Sequence, residues 1–332
     1  MIRRSRYART VIGVSAALSW HTMATSWVLD IHGVLAIGVA VGYFLLCRKG
    51  ARMRPSLAVE PARRASFYLG TVVWLLASIS FINDLADERF WVRALQIVLL
   101  LYVAPLMIAS GRPVTAFAIT LSPQSQLRAI RLLRSNFLRG LTNPITTSVA
   151  MLGLPWVLIF TGWNIASVQH QWFDAVTRLI ILLVGFGYFY ARLQVDPVPR
   201  RYPQALSLVI TLIETLADGV LGVVLWQGPT LNVDYFARVT GADAAMVRTD
   251  QIAAAGILWV LADVIGLPFL ALLMVALRRD DQRRTADIDA QLDAAADQLT
   301  SGTPAESADE PAGDGLWWTK DPRLADRFGA DN

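Results

Sequence analysis

Apolar residues run along this chain in long uninterrupted blocks, not in alternation. The blocks fall at about 27–47, 67–82, 90–109, 146–161, 173–193, 204–226 and 252–277. They lie near the ~20 residues a helix needs to cross a hydrocarbon core of ~30 Å. Transmembrane β-strands would instead read as alternations of roughly 10 residues. The pattern predicts an all-α fold, a polytopic membrane helical bundle with seven core transmembrane helices. A shorter block at about 10–20 follows the basic run Met1-Ile-Arg-Arg-Ser-Arg-Tyr-Ala-Arg9. It predicts an extra N-terminal helix. A basic start and a short apolar stretch also describe a signal peptide, with Met23-Ala-Thr-Ser26 as a tolerable cleavage region.

The polar positions between the blocks are as regular as the blocks. Arg48, Lys49, Arg52, Arg54, Arg63 and Arg64 follow the first one. Arg112, Arg128, Arg131, Arg134 and Arg139 follow the third, and Arg192, Arg200 and Arg201 the fifth. Arg278, Arg279, Arg283 and Arg284 follow the last. The alternate loops are poor in basic residues. Because cytoplasmic loops carry the excess of Lys and Arg, the odd loops and the C-terminus are expected on the cytoplasmic side of a bacterial plasma membrane. Within the third loop, residues 124–139 set Leu127, Ile130, Leu133 and Leu138 near one face and arginines near the other. That suits a helix on an anionic membrane surface. A solvated basic loop is the alternative.

Composition changes the picture in one respect. The chain has 332 residues, 55% hydrophobic and only 17% charged, with mean hydropathy +0.45. Soluble domains carry about 25% charged residues, so a soluble enzyme and a disordered chain are both excluded. The formal charge of +4 is divided: residues 281–332 hold twelve acidic and five basic side chains, which leaves residues 1–280 at +11. Three regions follow. Residues 1–26 are the basic N-terminus, 27–280 the bundle, and 281–332 an acidic, cytoplasmic tail expected to be disordered for want of apolar surface. Trp317 and Trp318 in that tail suggest a docking motif or an interfacial anchor. Cys47 is the single cysteine, so paired-cysteine chemistry is excluded. No P-loop, dinucleotide fingerprint, His-Glu-x-x-His motif or nucleophile elbow is present, so no enzymatic activity is expected. The lipid bilayer is an expected partner and nucleic acid is not.

Five ionisable residues fall inside the predicted spans: Arg93, Arg178, Glu214, Asp218 and Asp263. Each costs about 2.5–3.5 kcal/mol at mid-helix, so such groups face a bundle interior and pair. Glu214 and Asp218 share a face at i, i+4. With Gln96 these residues form the candidate polar cluster, and Arg93 is expected to pair with Asp218. A buried ion-pair network, a ligand cavity and a proton or ion path all remain open. Gly38-x-x-x-Gly42 reads as a helix-packing face. His21-x-Met23 and His32 form a further candidate set, for copper(I), which accepts imidazole and thioether. Interfacial polar residues are the plainer reading of all three, and a solvated residue that of His170.

Specific motifs begin at the second block. Phe81-Ile-Asn-Asp-Leu-Ala-Asp87 leads to Phe90-Trp-Val-Arg-Ala-Leu-Gln-Ile-Val-Leu-Leu-Leu-Tyr-Val-Ala-Pro105 and then Gly111-Arg-Pro113. Asp30 closes Trp27-Val-Leu-Asp30, and Asn143-Pro144 and Arg248-Thr-Asp-Gln251 follow in order. This series resembles the membrane-integral cytochrome c oxidase assembly factors, the CtaG family, over roughly residues 27–284. Asp84, Asp87, Asp250 and Gln251 match its outer-face motifs. The resemblance implies an accessory role in assembling a respiratory terminal oxidase, with oxidase subunits or other membrane proteins as partners. It also implies copper handling through intramembrane histidines. Here Arg93, Ile97, Ile159 and Arg178 stand at those histidine positions and only Gln96 of the central motif is kept. Arginine stays protonated and cannot ligate a cation, so copper binding is expected to be lost and no cofactor is expected. A structural protein of the respiratory membrane and a small-solute or ion transporter are the alternative functions.

Overall fold

In the computed structural model, residues 30–133, 135–198 and 204–301 are described. Helix α1, Ile31–Met53, is capped at its start by Asp30, whose carboxylate accepts from the backbone N–H of His32 and Gly33. It returns through α2, Pro61–Ile79, and the short α3, Phe81–Ala86. Helix α4 covers Phe90–Ser110. Short helices α5 (Pro113–Ala118), α6 (Pro123–Leu133) and α7 (Asn136–Leu141) follow. Helix α8, Pro144–Phe160, meets α9, Trp163–Gln169, at a bend of 70°. The remaining helices are α10 (Gln171–Leu193), α11 (Gln204–Gln227), α12 (Val233–Thr240), α13 (Ala244–Gly256) and α14 (Ala262–Ser301). No strand occurs among the described residues.

The all-α membrane bundle is therefore the fold, and among the described residues five or six spans qualify by length and apolarity, so the count of seven is not reached there. Five segments qualify alone, and the bent pair α8–α9 makes a sixth. Helix α2 stands at the predicted block 67–82 but begins earlier, so Arg63, Arg64 and Ser66 dilute its apolar run. The predicted helix at 10–20, the candidate ligands His21 and Met23, and the Trp317–Trp318 motif lie outside the described residues.

Helix α4 is the axis of the bundle, with 72% of its apolar window buried. Its position depends on two glycines of neighbouring helices. A Cβ on Gly70 of α2 would lie 2.8 Å from the carbonyl oxygen of Ala104, and one on Gly185 of α10 would lie 2.1 Å from that of Leu101. The Leu101 carbonyl has a local history. Pro105 stands four residues on and has no N–H to donate back. The helix relaxes into a π turn over Leu99–Val103, and Gly185 lets α10 approach the exposed oxygen.

Three expectations are corrected here. The tail was expected to be disordered from Asp281, yet α14 continues through Ser301. Residues 281–301 hold five Ala and three Gln beside five Asp, and no Gly or Pro, so nothing in them breaks a helix and the alanines favour one. Among the described residues nothing lies within 4 Å of a Cβ added at Gly38 or Gly42, so no described helix packs on that face. Residues 124–139 form two helices, α6 and α7, where one was read, and Leu127, Ile130 and Phe137 are exposed along them.

Candidate functional site: two buried charge clusters

The candidate polar residues divide into two groups at opposite ends of α10. The first gathers where α1, α4 and α10 begin and α2 ends. Asp174 and Arg178 are one turn apart on α10 and form an ion pair, Nε to Oδ2 at 2.9 Å. Asp174 Oδ1 also lies 2.7 Å from Arg93 Nη1 of α4. Arg178 Nη2 donates to Asp30 Oδ2 at 2.8 Å, and its Nη1 donates to the Ser78 carbonyl at 2.7 Å. Arg93 donates further to Gln96 Oε1 at 2.8 Å and to Ser167 Oγ of α9 at 2.9 Å. Gln96 in turn donates to the Ala77 carbonyl at 2.8 Å. Two guanidiniums and two carboxylates thus make a formally neutral group. Arg93, Asp174 and Arg178 are 3%, 6% and 1% exposed. At that burial an unmatched charge would cost several kcal/mol.

The second group lies at the other end of α10, about 21 Å along the axis from Arg178 to Arg192 at ~1.5 Å per residue. Arg192 is fully buried and donates to Glu214 Oε1 of α11 at 2.8 Å and to Ser148 Oγ of α8 at 2.5 Å. Its guanidinium lies over the Tyr188 ring, 4.4 Å from the centroid, and Tyr188 OH donates to Glu214 Oε2 at 2.6 Å. One turn along α11, Asp218 accepts from Tyr102 OH at 2.9 Å. Tyr102, Glu214, Asp218 and Asp263 share the lining of a cavity of about 40 Å³, room for a few water molecules.

The expected single cluster is therefore two. Arg93, Gln96 and Arg178 come together. Glu214, Asp218 and Asp263 are brought together elsewhere. The expected Arg93–Asp218 pair does not form, because Asp174 reaches Arg93 first from the neighbouring helix. Sequence reasoning missed Asp174, although its i, i+4 spacing to Arg178 was a usable signal. It also counted Arg192 as a loop charge, where the structure buries it. Asp30 was noted as part of a motif but without its role as a counter-ion.

His32 is buried and its ring is fully engaged. Trp74 Nε1 donates to Nδ1 at 3.2 Å, and because indole can only donate, Nδ1 is the acceptor. Nε2 then carries the proton and donates to the Ala175 carbonyl at 2.8 Å. No ring nitrogen is left for a metal. His170 is exposed and begins α10. Among the described residues no group of three or more His, Cys, Asp and Glu side chains is arranged to hold a metal ion. The four histidine positions of the resembled family hold Arg93, Ile97, Ile159 and Arg178. Both guanidiniums point into the carboxylates that could otherwise receive a cation. This donor set does not fit copper.

Two of the four outer-face motif residues act as fasteners. Asp250 of α13 accepts from the Phe90 and Trp91 backbone N–H at 2.7 and 3.4 Å, capping α4 from another helix. Gln251 accepts from Leu231 N and donates to the Leu225 and Pro229 carbonyls, so its amide closes the end of α11. Asp84 and Asp87 lie in and after α3. Burial pushes the nearby Glu88 carboxyl above its ordinary range, against the pull of Arg89. Asp250→Ala is expected to cost about 1–2 kcal/mol, as lost caps do, read as a lower unfolding temperature in detergent. An unchanged temperature would show that the cap carries no stability.

Long apolar helices around buried, paired charges define a multi-pass helical membrane protein. The profile of the cytochrome c oxidase caa3 assembly factor family, Caa3_CtaG, matches residues 41–280, and the chain belongs to that family. It is similar to an uncharacterized protein of Mycobacterium leprae, 23% identical over 271 residues, which cover 78% of this chain and 40% of that protein. Uncharacterized proteins of Mycobacterium bovis and Mycobacterium tuberculosis are each 25% identical over 278 residues, covering 80% of this chain and 41% of theirs. The chain thus spans about two fifths of the length of these relatives. No solved structure matches it significantly.

Proposed function

We propose that this protein assists assembly of a respiratory cytochrome c oxidase in the bacterial plasma membrane. It does so without catalysing a reaction, through contacts with oxidase subunits or their membrane partners, and with its C-terminus on the cytoplasmic side. The observation that carries this reading is the family profile across residues 41–280. Copper delivery is not part of the role. Arginine at two of the resembled histidine positions and isoleucine at the other two support that statement, as does the engagement of both His32 nitrogens.

In a strain lacking the protein, the haem a absorbance of membranes is expected to fall, and added copper is expected not to restore it. Normal haem a absorbance would overturn the assembly role. Restoration by copper, or stoichiometric copper in the purified protein, would overturn the loss of metal handling while leaving assembly intact.

The cavity at Glu214, Asp218 and Asp263 favours one second reading, an ion or proton path. Under it, Asp218→Asn alters ion leak in vesicles while oxidase levels stay normal.

A further inference from the structure

Where α1 ends and α2 begins, the two helices enclose a groove of about 730 Å³. Its floor is apolar, with Phe44, Ala51 and Tyr68 among the lining residues, and Arg48, Arg52 and Arg64 line it as well. The groove sits where α1 changes character. Residues 31–47 hold no Lys, Arg, Asp or Glu, and Arg48, Lys49 and Arg52 follow at once. The groove therefore straddles the level at which hydrocarbon gives way to headgroups.

No carboxylate among the described residues pairs with these three guanidiniums. Glu60, close by in sequence, pairs with Arg63 instead, at 3.6 Å. The buried Nε of Arg64 has no hydrogen-bond partner. That is an unmet donor at the edge of an apolar slot, beside two further cations. The hairpin holding the slot is firmly built. Tyr43 stacks on Phe67 with ring centroids 3.7 Å apart, and its hydroxyl donates to the Gly111 carbonyl at 2.6 Å.

We propose that this groove binds an anionic phospholipid. The phosphodiester is held by Arg48, Arg52 and Arg64, whose forked donors match phosphate oxygens. The acyl chains follow the apolar floor past Phe44 and Tyr68. A free phosphate would satisfy the cations but leave the floor uncovered, so charge and apolar area together select a lipid. The site is distinct from both buried clusters and does not depend on the assembly role.

The test is native mass spectrometry of the purified full chain in neutral detergent, titrated with phosphatidylglycerol, phosphatidylcholine or inorganic phosphate. Phosphatidylglycerol is expected to be retained, and phosphatidylcholine is not. Replacing Arg48, Arg52 and Arg64 together by Gln is expected to weaken retention on the order of a hundredfold. The charge-matched replacement of Arg128, Arg131 and Arg139 by Gln is expected to leave it unchanged. Phe44→Ala keeps every cation and is expected to weaken lipid retention as well, so the idea stays testable if the triple variant misfolds. Equal loss in both triple variants would reduce the effect to general surface charge and overturn the site. Equal retention of phosphatidylcholine would also overturn it. So would competition by inorganic phosphate at the lipid's own concentration, which would assign the arginines to a free anion.

Discussion

Asp174→Asn is expected to cost about 3–5 kcal/mol, the range seen when one partner of a buried ion pair is removed. The substitution keeps the side chain's shape but takes the negative charge from between two guanidiniums. Arg93 loses its carboxylate 2.7 Å away, and Arg178 keeps Asp30 as its one counter-ion among the described residues. The neutral group becomes a buried net cation joining α1, α2, α4, α9 and α10. Thermal unfolding in detergent reads the loss. Arg93→Gln in the Asp174→Asn background is expected to recover part of it, since the orphaned charge is then gone. Asp218→Asn, bonded to Tyr102 and not to Arg93, serves as the distant control. A loss below about 1 kcal/mol for Asp174→Asn would mean that water or lipid reaches Arg93, because only exposed pairs are worth that little.

Gly185→Val is the second large effect. A Cβ at this position falls 2.1 Å from the Leu101 carbonyl oxygen and 2.7 Å from the Pro105 ring. Neither obstacle can swing aside, since one is backbone and the other a ring closed on backbone. Overpacking ordinarily costs about 1–3 kcal/mol, and here the helices α4 and α10 must separate, so at least ~3 kcal/mol is expected. Separation would also draw Asp174 and Arg178 on α10 away from Arg93 on α4. The checks are unfolding temperature and the retention of monodisperse protein after detergent extraction. Gly187→Val, on the same helix but with nothing within 4 Å of an added Cβ, is expected to be mild. Similar losses at both positions would point to helix propensity, not contact, as the cause.

The comparison of these two glycines shows what could be read before the fold was known. Apolar blocks located the membrane-length helices among the described residues, because burial in lipid demands unbroken apolar length, but not the polar continuation of α14. They could not tell Gly185 from Gly187, since the difference lies in a carbonyl that Pro105 frees on another helix. The charged residues behaved likewise. That Arg93, Arg178 and Glu214 would be buried and paired followed from the cost of leaving them bare. Their partners did not follow, because pairing depends on which helix faces turn together. Asp174 and Arg192 were overlooked for a simpler reason: each lies within two residues of a predicted helix end, where charges usually meet water. In the structure Gln171 and Trp172 open α10 in the exposed rim, but Asp174 just further in is buried, and so is Arg192 at the other end.

The sharing of one carboxylate between α4 and α10 sets an order of events during synthesis. Arg93 enters the membrane on α4, and its counter-charge is encoded 81 residues later. At roughly 5–20 residues per second, the guanidinium waits on the order of 4–16 s before Asp174 emerges. Through that interval α4 carries an unneutralised cation in its first turn, where a long side chain can still snorkel to the membrane surface. Arrival of α10 draws that cation inward, and its Gly185 then admits the Leu101 carbonyl. The central helix thus waits for α10 to neutralise its arginine and for Asp250 of the later α13 to cap its start, so a chain arrested before α10 leaves its axis unsecured.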